Sequence, residues 1–282
     1  MTTATFGTYE KTLKQPLHCT VPFIAYSDQL HLRASSSCWQ VVTTPHHLWL
    51  DPTLWQRNSI ASHTSAFNLA KFYKLNLHRL PELRGYEFVL WMDTSIRLKA
   101  DLPSLLPRFR EHVCWALLFE NLPFLGGRMS SEVKLTINTT KYYTNATQEP
   151  QDVEAQYQRY VDAGFREHWW RVKGVSGGSS GGGSSADGSS TISLRQPGRE
   201  SPHAGVWVTA FVLWRMSNPW VPLFLDSWWF QNAHTSTQDQ VSFPFVAWRL
   251  SMLPYTLPDG LITRHRDKFV RTALYDKLSH GK

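Results

Sequence analysis

The chain of 282 residues predicts an α/β fold with a mostly parallel central sheet flanked by helices, and three observations carry that prediction. Strand-like and helix-like segments alternate along the chain. The run "FVLWM", Phe88 to Met92, is unbroken and apolar, as suits a central strand buried on both faces. Two strand-like runs end in an acid, Asp28 and Asp93, and ligands of open α/β sheets bind beyond the carboxyl ends of strands.

The elements follow in order. Short β-like segments open the chain at Thr3 to Gly7, Val21 to Asp28 and Trp39 to Thr44. A helix is expected from about Ser65 to Arg79, with Ser62, Thr64 and Ser65 as possible caps. After the Phe88 to Met92 strand, "SLLPRFREH" reads as a helix broken at its proline, and Cys114 to Glu120 as another strand. "QDVEAQYQRYVDAGF" predicts a helix ending at Gly164. Val206 to Arg215 reads as a strand, and "NPWVPLFLDSWWFQN" and "TQDQVSFPFVAWRL" as helices despite their prolines.

Gly174 to Ser190 differs from the rest. It holds no apolar residue except Val175 and Ala186, so a mobile Gly/Ser loop is expected. Patterned sequence continues on both sides, which favours an insertion in a single domain spanning 1–282, with a two-domain division as the alternative.

Composition is globular, since 42% hydrophobic against 18% charged residues leaves enough apolar surface to bury. A net charge of +7 permits an anionic partner, yet the basic residues are scattered apart from "RHRDKFVR", and no nucleic-acid module is present. Thirteen Trp suit core packing or sugar stacking. Three widely spaced Cys suggest packed thiols rather than a disulfide framework or a zinc site. No signal peptide or membrane span is visible, so the chain as written is expected to be cytoplasmic. The sequons at Asn138 and Asn145 would matter only in a secretory lumen.

Three places carry chemistry. Asp93, followed by Thr94 and Ser95, could offer oxygen to Mg²⁺ or Mn²⁺, or be a capping or ion-paired acid; an extended D-T-S would put Ser95 on the same side. On the preceding helix, Lys71, Lys74 and His78 fall within an arc of roughly 60°, a basic stripe suited to phosphate or to solvent. In "STQDQVSF", Asp239 and Gln240 could place a carboxylate and an amide over a sugar, or cap a helix. His265 could add a metal or phosphate contact, or lie on the surface.

Taken in order, these segments resemble a glycosyltransferase-like domain family common in plants and found also in algae and microbes. The resemblance rests on "TATFGTYE" (Gly7, Tyr9, Glu10), "AYSD" (Asp28), the helix with Asn68, Tyr73, Lys74 and His78, then Trp91 and Asp93. It continues through Gln156 to Phe165, Trp228 and Trp229, and "DQVSF" (Asp239, Gln240, Ser242, Phe243). Gln238 stands where the family commonly has Arg, a His expected near Arg128 and Glu132 is missing, and Ser95 replaces an acid.

The resemblance implies a GT-A-like transferase that moves a sugar from a nucleoside-diphosphate sugar to a hydroxyl of a glycan, lipid or protein, with Mn²⁺ or Mg²⁺. It implies donor contacts from Gly7, Tyr9, Asp28, Asn68, Lys74 and His78, a cation at Asp93 with Ser95, and catalysis by Asp239 and Gln240. The helical stripe adds Lys71 to the donor contacts, and the late His265 is added to the cation on composition. Plant-type relatives are Golgi-anchored, so a luminal setting is expected if the chain is a fragment. The alternatives are a non-catalytic sugar or nucleotide-sugar binder, and a metal-dependent hydrolase of a glycolipid or amide.

Overall fold

The computed structural model describes residues 1–6, 12–29, 32, 38–43, 65–120, 128–143, 153–167, 206–236, 238–257, 262–264, 270–272 and 275–277. Gly7, Tyr9, Glu10, His265 and the segment 174–190 lie outside the described residues, as does the side chain of Asn68.

The sheet and its flanking helices are present. Strands β1 (Thr2–Thr5), β2 (Phe23–Ser27), β3 (Trp39–Val42), β4 (Phe88–Met92), β6 (Ala116–Glu120), β7 (Trp207–Arg215) and β8 (Tyr255–Leu257) form one sheet in the order β3-β2-β1-β4-β7-β6-β8. Pairing is parallel for β3/β2, β2/β1, β1/β4 and β6/β8; only β7 runs antiparallel, to β4 and β6. A second, antiparallel sheet joins β5 (Ile96–Leu98) to β9 (Ile262–Arg264), β10 (Val270–Thr272) and β11 (Tyr275–Lys277).

Strand alternation buries the main sheet on both faces, as the apolar run of β4 requires. Val89 and Trp91 point into one core with Tyr26, Val212 and Trp214; Leu90 and Met92 point into the other with Phe23, Ala25 and Leu213. The first core is covered by α1 (Ser65–Leu75), α3 (Met129–Tyr143), α4 (Val153–Asp162), α5 (Trp220–His234) and α6 (Asp239–Arg249), the second by α2 (Leu102–His112). Phe243 centres the first core, its ring 5.0 Å from those of Phe224 and Trp228 and 5.5 Å from that of Trp207.

Several expectations change. Pro107 sits inside α2 without breaking it, and Pro222 falls in the first turn of α5, where a missing N–H costs nothing. The helix expected to reach Arg79 stops at Leu75. Asn76 leaves helical geometry (φ −120°, ψ 32°) while its side-chain amide donates to Phe72 O at 3.0 Å, and a 3₁₀ turn, Leu77–Arg79, follows. Helix α3 went unanticipated: its run of Ser, Thr, Asn and Tyr has low helix propensity, and tertiary packing of Met129 and Val133 overrides it.

The cysteine expectation is also corrected, for Cys19 and Cys38 form a disulfide and Cys114 is an exposed thiol. Wide spacing in sequence conceals the pairing because parallel strands β2 and β3 bring their amino ends together. The bridge ties those ends, away from the carboxyl ends where Asp28 and Asp93 lie. No helix among the described residues is long and apolar enough to cross a membrane.

Phe243→Ala should cost about 3–5 kcal/mol, because the surrounding indoles are too rigid to collapse into the void. The check is a lower urea midpoint with an unchanged m-value. A shift below about 1 kcal/mol would mean the aromatic core is looser than its ring contacts indicate.

Candidate functional site

The site grows from one face of α1. Tyr73 stacks between Phe6 and Tyr26, with centroids at 5.3 and 4.5 Å, which docks the helix over β1 and β2. That docking carries Lys71 and Lys74, one turn apart, inward rather than to solvent. Lys74 keeps only 2% of its side chain exposed and Lys71 keeps 13%. Buried ammonium groups require partners, and two acids supply them.

Asp93 is the first. It lies just beyond β4, its N–H donating to Ala210 O at 2.9 Å, and a turn follows in which Ile96 N–H donates to Asp93 O at 2.9 Å. Asp93 lies on the Trp91 face, so the Trp91 indole donates to its Oδ1 at 2.8 Å while Lys74 Nζ reaches the same oxygen at 3.4 Å. Among the described residues nothing bonds Oδ2, and the side chain remains 40% exposed. Asp93 is therefore the accessible acid of the cluster.

Asp239 is the second. It opens α6, where the helix dipole favours a negative charge. Its Oδ1 takes Lys71 Nζ at 2.6 Å; its Oδ2 takes Lys74 Nζ and, at 3.0 Å, the Thr209 hydroxyl. Thr209 reaches it through an irregularity in β7, where pairing with β6 slips from Leu117↔Leu213 to Phe119↔Val208. A further set of bonds fixes the start of α6. The Trp228 indole donates to Asp239 O at 3.2 Å, and the Ser236 hydroxyl donates to Gln156 Oε1 while accepting Gln238 N–H at 3.3 Å.

Charge balance follows from these contacts. Burial pushes both carboxyls up, but Lys71 and Lys74 outweigh it, and Asp93 and Asp239 both end below the ordinary carboxylate range. Burial pushes Lys74 down, yet Asp239 and Asp93 together carry it above the usual lysine value. For Lys71 burial prevails over Asp239, and its ammonium ends below that value. Two positive charges thus face two negative ones.

The residues singled out in the sequence separate here. Lys71, Lys74, Asp93 and Asp239 converge. His78 leaves the stripe, because the helix has ended before it, and pairs through Nε2 with Asp226 Oδ1 at 2.9 Å beside Arg79. Gln240 donates to Trp207 O at 3.4 Å and anchors α6 to β7. The tight turn after Asp93 removes the alternation expected for Ser95, which is buried. Asp28 is exposed at the end of β2. Trp91, Thr209, Gln156 and Ser236 were not anticipated as site residues. Trp91, two residues before Asp93 in a strand, was the one readable from spacing.

The cation expectation can be tested against the donor set. Mg²⁺ commonly takes one or two carboxylates together with substrate phosphates. Here the oxygens of Asp239 are both taken by ammonium and hydroxyl donors, Oδ1 of Asp93 is taken likewise, and the cluster is neutral as it stands. The position between the two acids is thus taken by an ammonium, Oδ2 of Asp93 stays open among the described residues, and no group of three or more His, Cys, Asp or Glu side chains able to hold a metal ion occurs among them.

No protein-family model and no curated protein sequence matches the chain. Among solved structures, mouse xyloside xylosyltransferase 1 in its apo form superposes with a TM-score of 0.44 at 10% identity, covering 84% of this chain and 71% of that one. The bifunctional glycosyltransferase WbbM gives 0.37 at 9% identity, over 81% of this chain and 32% of its own. Core-mannan synthase A from Aspergillus fumigatus, in its Mn/GDP form, gives 0.37 at 8% identity, over 88% and 70%.

Asp239→Asn should destabilise the fold by about 3–5 kcal/mol at neutral pH, since it leaves two buried ammonium groups short of a counter-charge. A carboxyl whose folded pKa is depressed stabilises the protein above its unfolded value near pH 4, and the effect fades as pH falls through the folded value. The stability gap between wild type and variant, from denaturant titrations, should narrow below about pH 4. A gap independent of pH there would remove the ion-pair account.

Proposed function

We propose that this chain is a glycosyltransferase that moves a sugar from a nucleoside-diphosphate sugar to a hydroxyl acceptor, acting as one domain over residues 1–282. The observation that carries the reading is the convergence of Lys71, Lys74, Asp93 and Asp239 at the carboxyl ends of β1, β2 and β4. An open α/β sheet binds its ligand at that edge. The ordered motifs that resemble the glycosyltransferase-like family include three of these residues, Lys74, Asp93 and Asp239.

The roles follow from exposure and charge. Lys71, the more accessible ammonium, supplies positive charge beside the departing diphosphate, held in place by Asp239. Asp239 is a positioning residue, because both its oxygens are engaged. Asp93 turns Oδ2 outward while Trp91 and Lys74 fix Oδ1. Its depressed pKa makes it a poor proton acceptor near neutrality but a strong hydrogen-bond acceptor, so it is assigned to a hydroxyl of the donor sugar. At the same edge the Thr5 hydroxyl and the Gln29 amide nitrogen are buried without a partner among the described residues, which supports a polar ligand over β1 and β2. No step is assigned to a divalent cation. The Cys19–Cys38 bridge supports an oxidising, luminal compartment over the cytosol.

The test is a thermal-shift screen of UDP, GDP and other nucleotide sugars, followed by a transfer assay with the donor that stabilises the fold. Asp93→Asn should lower kcat/KM by about 10- to 150-fold, the worth of one hydrogen bond to a charged group. An unchanged rate would remove Asp93 from the site. Donor binding with no transfer to any hydroxyl acceptor would leave a binding protein instead.

A further inference from the structure

Lys74 places its ammonium between two carboxylates that come from opposite parts of the chain. Asp93 hangs from the end of β4 and Asp239 from the start of α6; one oxygen of each lies within reach of Nζ. The ammonium is almost wholly buried, lies over the Trp91 ring at 5.9 Å from its centroid, and is raised in pKa by the two acids despite its burial. A compact positive charge, buried and shared by two strand- and helix-end carboxylates, has the surroundings of a bound cation.

We propose that the Lys74 ammonium is a tethered cation standing where a divalent ion would otherwise bridge Asp93 and Asp239. Two consequences follow from the chemistry. The wild-type site takes no divalent ion, because Nζ already occupies the shared position and the two acids are neutralised by two lysines. Removing the ammonium while keeping its length exposes two carboxylates that point at one position. Oxygen donors so arranged suit Mn²⁺ or Mg²⁺, which bind at about 2.0–2.2 Å, so Asp93, whose Oδ1 lies 3.4 Å from Nζ, has to move inward on its turn by about 1 Å. The inference concerns metal affinity alone, and stands or falls apart from sugar transfer.

The probe is Mn²⁺ itself, titrated into the full chain and followed by the loss of the free-ion electron paramagnetic resonance signal. Wild type and Asp93→Asn should give the same Mn²⁺ uptake, which means no ion at this site. Lys74→Met should gain one Mn²⁺ equivalent and a Mn²⁺-dependent rise in Tm, and both should vanish in the double variant with Asp93→Asn. Wild-type uptake that is lost in Asp93→Asn would overturn the proposal. So would a folded Lys74→Met that gains no ion. Should Lys74→Met fail to fold, the comparison of wild type with Asp93→Asn still decides.

Discussion

A lysine ammonium with almost no access to water is the constraint on which this molecule turns. Lys74 is buried because α1 is pinned by Tyr73 between Phe6 and Tyr26, and the only compensation for its desolvation is charge brought from elsewhere. Asp93 and Asp239 provide it, and to do so β4 and α6 must end and begin at one place. Lys71 joins through Asp239, and Thr209 fills the remaining contact from β7. Four elements are thus held in register by one electrostatic knot. Such a knot adds specificity of arrangement more surely than it adds stability, since each buried charge repays a desolvation cost of its own.

The aromatic core gives the knot its rigidity. Trp115, Trp214, Trp228, Phe224 and Phe243 pack at tilted and edge-to-face angles, with Trp115 stacked on Phe243, between the sheet and the pair α5 and α6. Trp228 links the two systems, because its ring packs on Phe243 while its indole N–H donates to Asp239 O and to the Ser242 hydroxyl. A carboxylate placed by a helix start that is itself bonded to a core indole has little freedom. Both oxygens of Asp239 are thereby engaged, whereas Asp93, on a turn and partly open, keeps Oδ2 accessible.

The bridge between Cys19 and Cys38 holds the amino ends of β2 and β3, where Trp39 also donates to Lys14 O at 3.2 Å. The carboxyl ends carry two buried polar groups without a partner among the described residues, Thr5 and Gln29, and Thr2 and Thr3 earlier in β1 are in the same position.

Local signals in the sequence were enough for the alternation of strands and helices, for β4 as a doubly buried strand, and for Asp93 at its end. Each depends on side-chain periodicity and strand length, which neighbours in the chain determine. The i, i+3 spacing of Lys71 and Lys74 was equally readable, as was the start of α6 at Asp239. What those charges do was not. A basic stripe on a helix looks the same whether it meets phosphate, solvent or buried acids, and only the docking angle of α1 decides. His78 shows the reverse case, since the helix ends at Asn76 and hands it to Asp226. The disulfide, the contact from Thr209 and the capture of Asp93 by Lys74 each join residues far apart in sequence. Tertiary packing alone settles them, because burial determines which charges must find one another.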